Sequence, residues 1–251
     1  MTSTWIFLIS FFAILAGSAA GMRLRVRLPG EQLTAETREM IRLGTSLLAT
    51  LVAVLISLTI ASAKSSYDTQ DAHFRQLTAY LVEADQLLAQ YGPEATGLRQ
   101  LMREVVPAAI DRIWHEKAIT TQDTAFTARS LAEQLYTAVG GLSPGNDAQR
   151  GLKMRVEQAV ADIAHTRLLM YADGDTPVLT PFLLILIFWL VVIFASFGLF
   201  VEPGRIAFVA LLVFALSISS ALFLVADLSR PFAGLMQIPR EQLKHALAPL
   251  N

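Results

Sequence analysis

Cysteine is absent from the 251-residue chain, which excludes disulfides, thiolate metal sites and cysteine nucleophiles. Charge is scarce. Asp, Glu, Lys and Arg make up 16% of the residues, against roughly 25% in an average soluble domain, so much of the surface faces something other than water. The formal net charge of −1 supplies no basic face for a nucleic acid. Catalytic motifs are missing too: there is no Gly-rich phosphate loop, no His-Glu-x-x-His and no Gly-x-Ser-x-Gly. His73, His115, His165 and His245 lie on separate segments without metal-ligand spacing and are expected as solvated surface groups. Asp173 and Asp175 flank Gly174 without the later acid an EF-hand loop needs, so a polar turn is expected there. Neither an enzyme nor a metal or cofactor is expected.

What is present is apolar length. Met1–Met22, Leu43–Ala63, Thr176–Val201 and Ile206–Ala226 carry no Asp, Glu, Lys, Arg or His. Each reaches the ~20 residues that let a helix cross ~30 Å of hydrocarbon. The stretch "FLLILIFWLVVIF" has no polar face, which a helix buried in a soluble core would show. Four transmembrane helices follow, spanning about 4–22, 43–63, 178–201 and 206–226. The first resembles a cleavable signal peptide in its small residues, but no Lys or Arg precedes it while Arg23, Arg25 and Arg27 follow; a retained helix is expected. Gly17 and Gly21 at its end form a Gly-xxx-Gly pair, expected to admit a neighbouring helix closely.

Residues 64–175 form a polar block between two membrane hairpins, 1–63 and 176–226, and no alternating strand pattern occurs. Phe74, Leu77, Leu81, Ala84, Leu88 and Tyr91 recur at spacings of three and four, which sets them on one helical stripe ended by Gly92-Pro93. Nothing between Ala63 and Tyr67 breaks a helix, so this helix is expected to continue out of the second span. A second helix is expected from about Glu94 to Lys117, with Leu98, Leu101, Val105, Ala109 and Ile113 inward and a kink at Pro107. A third runs from about Gln122 to Val139. A fourth, capped by Asp147, carries Leu152, Val156, Ala159, Ile163 and Met170 on one face. The fold class expected is all-α: two transmembrane hairpins flanking an extramembrane four-helix region. Residues 227–251 are expected as an interfacial tail with a short amphipathic helix.

Positive charge divides evenly between the two sides of the membrane. Arg23, Arg25, Arg27, Arg38, Arg42 and Arg205 lie on one side, and Lys64, Arg75, Arg167, Arg230, Arg240 and Lys244 on the other. Because three Arg follow the first helix and none precedes it, the balance favours, by a narrow margin, both termini and the helical block outside the cytoplasm.

Two features point beyond anchoring. In the second span Ser46, Thr50, Ala53, Ser57 and Ala61 recur every three or four residues, and Lys64 continues the row. Such a stripe either packs helices closely through hydrogen bonds or lines a watery path when copies assemble about an axis. No charged residue lies deep within a span, which argues against a carrier built on buried carboxylates. The tail opens with Asp227, Arg230, Pro231, Phe232 and Gly234, where Pro stops the helix and Gly permits a reversal.

The tail "ADLSRPFAGLMQIPREQLKHAL" resembles the closing signature of the bestrophin-like family of bacterial multi-pass membrane proteins. "SLLATLVAVLISLTIASAKSSYDTQ" is similar to that family's second helix running into its Ala-Lys-x-x-Tyr-Asp exit, here Ala63, Lys64, Tyr67 and Asp68. The resemblance implies a bacterial plasma-membrane location and distant similarity to bestrophins, pentameric anion channels whose second helix lines the pore. On that footing Ser46, Thr50, Ala53, Ser57 and Lys64 become pore-lining candidates, although this span lacks the aromatic residues of the bestrophin constriction and the chain lacks its acidic Ca²⁺ clasp. The expected function is a homo-oligomeric, channel-like assembly conducting inorganic anions, with the lipid bilayer, ions and further copies of the chain as partners. The alternative is a membrane-anchored interaction or sensor protein whose helical bundle binds a partner or ligand.

Overall fold

In a computed structural model of the protein the described residues are 3–28, 34–104, 106, 134–172, 179–201, 204–229 and 234–237. The helices are α1 (Ser3–Arg27), α2 (Ala35–Tyr91), α3 (Asp147–Ala172), α4 (Leu179–Phe200) and α5 (Arg205–Leu228). A 3-10 turn covers Pro93–Ala95, and residues 96–104 and 134–140 are also helical. No strand occurs among the described residues, and the fold is all-α. Four helices are long and apolar enough to cross a membrane: Ser3–Arg27, Ala35–Tyr91, Pro181–Phe200 and Arg205–Leu228.

Contacts divide the chain into two units. One is Met1–Ser66 with Thr176–Ser229; the other is Tyr67–Asp175 with Arg230–Asn251. Helix α2 contributes residues to both. Thr34 begins it as an N-cap, its Oγ1 accepting from the Thr37 N–H at 3.2 Å. Beyond Gly44 the helix contains neither Gly nor Pro before Tyr91, so nothing interrupts its 57 residues. The expectation that the second span runs on into the polar block is met.

In the first unit α1 packs on α4 and α5. Ile14, Val52, Leu186, Leu190, Phe194, Leu211, Ala215 and Leu222 are among the residues that close its core. The approach of α1 to α4 is set by glycine. A Cβ on Gly17 would stand 2.8 Å from the Val191 carbonyl oxygen, and one on Gly21 would collide with the Ala195 carbonyl. Contact is reciprocal, because a Cβ on Gly198 of α4 would strike the Ser18 carbonyl of α1. Backbone therefore meets backbone along this seam, the close packing that a Gly-xxx-Gly pair makes available where no hydrophobic drive separates helix from lipid. Ser18 satisfies its hydroxyl within its own helix, donating to the Ile14 carbonyl at 3.2 Å.

The second unit is built as a water-soluble bundle is built. Phe74, Leu77, Leu81, Ala84, Leu88 and Tyr91 are all buried, joined by Leu98, Met102, Leu135, Val139, Val156, Ala159 and Met170. Leu152 and Ile163 pack against them half-buried. Gly92, with φ 122°, takes a backbone conformation that residues with a Cβ rarely adopt and ends α2. Polar side chains then fasten helix ends. Gln149 Nε2 donates to the Tyr91 carbonyl at 3.0 Å, and Lys153 Nζ donates to the carbonyls of Gly140 (3.0 Å) and Leu142 (2.9 Å). Asp85, which is buried, receives Arg99 Nε and Nη2 at 2.8 Å each, a two-pronged pair tying α2 to the helix after the 3-10 turn. The hydrogen bond to Asp85 holds the Arg99 guanidinium in its charged form, raising its pKa above the ordinary arginine value.

One cap differs from expectation. Asn146, not Asp147, caps α3: Asn146 Oδ1 accepts from the Gln149 N–H at 2.8 Å, while Asp147 sits in the first turn and pairs with Arg150. Both residue types suit the position, and the bend at 145–146 places the earlier one at the boundary. Of the second and third expected bundle helices, Val105, residues 107–133 and with them Pro107, Ala109 and Ile113 lie outside the described residues, as do His115, Asp173, Asp175 and His245.

Candidate functional site

The membrane half of α2 is unlike the other spans. Of its most apolar 18-residue window 17% is buried, against 28% for α1, 39% for α4 and 28% for α5. Its inward arc consists of Val52, Thr59 and Ala63, with Leu48, Leu55 and Ile56 half-buried. Thr45 is half-buried as well, and the other residues from Leu43 to Ala63 are exposed.

Ser46, Thr50, Ala53, Ser57, Ala61 and Lys64 are all exposed, so the entire stripe lies on the uncovered side. Beside it runs a second uncovered row: Leu43, Leu47, Leu51, Val54 and Leu58, each 56–70% exposed. At 100° per residue the two rows occupy adjacent arcs. The uncovered surface is thus divided into a hydroxyl-bearing strip and an aliphatic flank.

The hydroxyls are held in place. Thr50 Oγ1 donates to the Ser46 carbonyl at 3.0 Å and Ser57 Oγ donates to the Ala53 carbonyl at 2.9 Å. Each oxygen thereby turns its lone pairs outwards, while its proton is engaged one turn back. An anion approaching the strip draws that proton round to itself at the cost of a weak intrahelical bond; a cation meets the lone pairs directly. Hydroxyls alone therefore do not choose a sign, and basic groups at the ends of the strip must do so. Arg42 stands one turn before Ser46, and Lys64 three residues after Ala61.

At the same end as Arg42 a cleft of about 560 Å³ opens between three helices. Helix α2 brings Arg38, Glu39, Arg42, Thr45 and Ser46, α1 brings Arg25, and α4 brings Ser196, Phe197 and Phe200. From the sequence these arginines served only to count charge. Their convergence was not legible, because it depends on how α1 turns into α2 and on α4, which lies far from both along the chain; the one local sign was the i, i+4 spacing of Arg38 and Arg42.

The tail residues divide. Asp227 is buried near the end of α5, and Ser229 finishes that helix with both its N–H and its hydroxyl on the Val225 carbonyl, at 3.2 and 2.8 Å. Gly234 lies in a bend, half-buried. Arg230, Pro231 and Phe232 lie outside the described residues. Among the described residues no group of His, Asp and Glu could hold a metal ion. His165 is exposed and His73 half-buried.

A family model for the Bestrophin-like domain matches residues 12–243 of the chain. No curated protein and no solved structure matches it.

Proposed function

The chain belongs to the bestrophin-like family, and from that premise we propose that this membrane protein assembles with copies of itself into a channel-like ring conducting anions along the membrane half of α2. The observation that carries the reading is the uncovered, two-part face of that helix. A single protomer in lipid would satisfy the leucine row but leave a hydroxyl strip against hydrocarbon for no gain. A ring satisfies both, the leucines meeting the neighbouring protomer and the hydroxyls facing an axial path.

In this arrangement Ser46, Thr50 and Ser57 replace part of an ion's hydration, Ala53 and Ala61 keep the path wide, and basic groups decide the sign of the ion. Arg42 at one end and Lys64 at the other become rings of positive charge, the arrangement by which pores admit anions. The field at the ends, rather than the hydroxyls between them, supplies selectivity. Back-bonded hydroxyls hold ions weakly, which suits passage over capture. We place the assembly in a bacterial plasma membrane, with the 64–175 region outside the cytoplasm on the narrow balance of charge.

Chloride flux from liposomes containing the purified protein tests the reading. Wild-type protein should pass chloride, Ser57→Leu should stop it, and Lys64→Glu should reduce chloride relative to sodium. A protein that stays monomeric in mild detergent, or that passes no ion at high protein-to-lipid ratio, overturns it.

A further inference from the structure

We propose that the cleft shared by α1, α2 and α4 is a binding site for a phosphate group, one that shares Arg42 and Ser46 with the proposed ion path but stands whether or not the assembly conducts. Three guanidinium groups, those of Arg25, Arg38 and Arg42, face one carboxylate, Glu39. Among the described residues neither Arg38 nor Arg42 has a hydrogen bond or ion pair through its side chain. Both therefore keep their donor forks for a ligand. A guanidinium fork matches two oxygens of a phosphate at once, and two such forks one helical turn apart can share a single tetrahedral anion. Ser46 adds a hydroxyl from α2, and Ser196 adds one from α4 that must turn from its bond to the Val192 carbonyl (3.0 Å) to donate.

The position of the cleft says which phosphate. Arg25 stands three residues past the charge-free part of α1, Arg42 immediately precedes the charge-free part of α2, and Phe200 closes α4. The basic groups thus lie where the spans meet water, the depth of lipid headgroups. One wall is apolar, formed by Phe197, Leu199 and Phe200. A free phosphate ion has no use for that wall, whereas an acyl chain below a headgroup does. An anionic phospholipid satisfies both parts of the cleft.

Native mass spectrometry of the purified full chain tests this with three probes: dioleoyl phosphatidylglycerol, dioleoyl phosphatidylcholine and inorganic phosphate. Wild-type protein should retain phosphatidylglycerol over phosphatidylcholine, and the double variant Arg38→Gln, Arg42→Gln should weaken that retention about tenfold, the loss expected from removing charge-assisted hydrogen bonds. Both side chains are exposed, so an unchanged far-ultraviolet helix signal should accompany the loss. Glu39→Gln removes the competing carboxylate and should strengthen retention a few-fold, an effect opposite in sign that loss of folding cannot imitate. Retention undisturbed by equimolar inorganic phosphate assigns the lipid as ligand; displacement by it assigns the free ion at the same groups. Equal retention of the two lipids with no phosphate binding, or retention indifferent to both substitutions, overturns the proposal.

Discussion

Helix α2 is one uninterrupted helix with two unlike halves. From Phe74 to Tyr91 every position of its apolar stripe is filled by its own chain: Phe74, Ala84, Leu88 and Tyr91 are at most 2% exposed. From Leu43 to Leu58 the row of aliphatic residues beside the stripe is left mostly bare. The sequence is equally regular in both halves, and the difference lies in the partner each has. In the second unit water drives the stripe against α3 and the 96–104 and 134–140 helices. In the first unit lipid supplies no such drive, and helices approach only where small residues let backbones touch. Gly17, Gly21 and Gly198 supply that for α1 and α4; the bare face of α2 has no counterpart among the described residues. What is uncovered there is left for something else.

The comparison can be broken most sharply in the filled half. Leu88→Ala removes a fully buried side chain and should destabilise the protein by about 3 kcal/mol, read as lost denaturation midpoint of the second unit's helices. Gly21→Val drives a side chain into the Ala195 carbonyl, and separation of α1 from α4 should cost about 2 kcal/mol or more, measured by thermal unfolding in detergent. Asp85→Ala strands Arg99, which is 29% exposed and partly rescued by water; about 2 kcal/mol is expected in the same denaturation assay. Ser57→Leu sharpens the contrast from the other side. On an exposed position it should shift protomer stability by no more than about 0.5 kcal/mol while abolishing chloride flux. A stability loss as large as that of Leu88→Ala would mean that the membrane half of α2 is already covered within its own chain.

Much of this was readable from residue spacing. The Phe74–Tyr91 stripe was legible because its 3.6 period persists over five turns, and the continuity of α2 because no Gly or Pro intervenes between Ala63 and Tyr67. Gly17 and Gly21 announced the α1 seam by their spacing. Gly198 did not, since a lone glycine among apolar residues carries no local pattern, and only the facing Ser18 carbonyl explains it. The Asp85–Arg99 pair was hidden for a similar reason: fourteen residues and the Gly92 turn separate the partners, and nothing local singles out either. The stripe on α2 was visible as a row, but whether it faced a packed neighbour or open space depended on tertiary placement. The arginine cleft lay beyond sequence reasoning altogether, since three helices assemble it.

The absence of cysteine makes the account directly testable. A single Ser57→Cys substitution introduces the chain's sole thiol on the uncovered strip, and Val52→Cys introduces one on the inward arc. Treated in native membranes with a bismaleimide long enough to reach across a narrow pore, Ser57→Cys should give a cross-linked dimer on denaturing gels and Val52→Cys should not. If Ser57→Cys stays monomeric under conditions in which a monofunctional maleimide labels the thiol, the face of α2 does not meet its copies across an axis, and the channel reading fails with it.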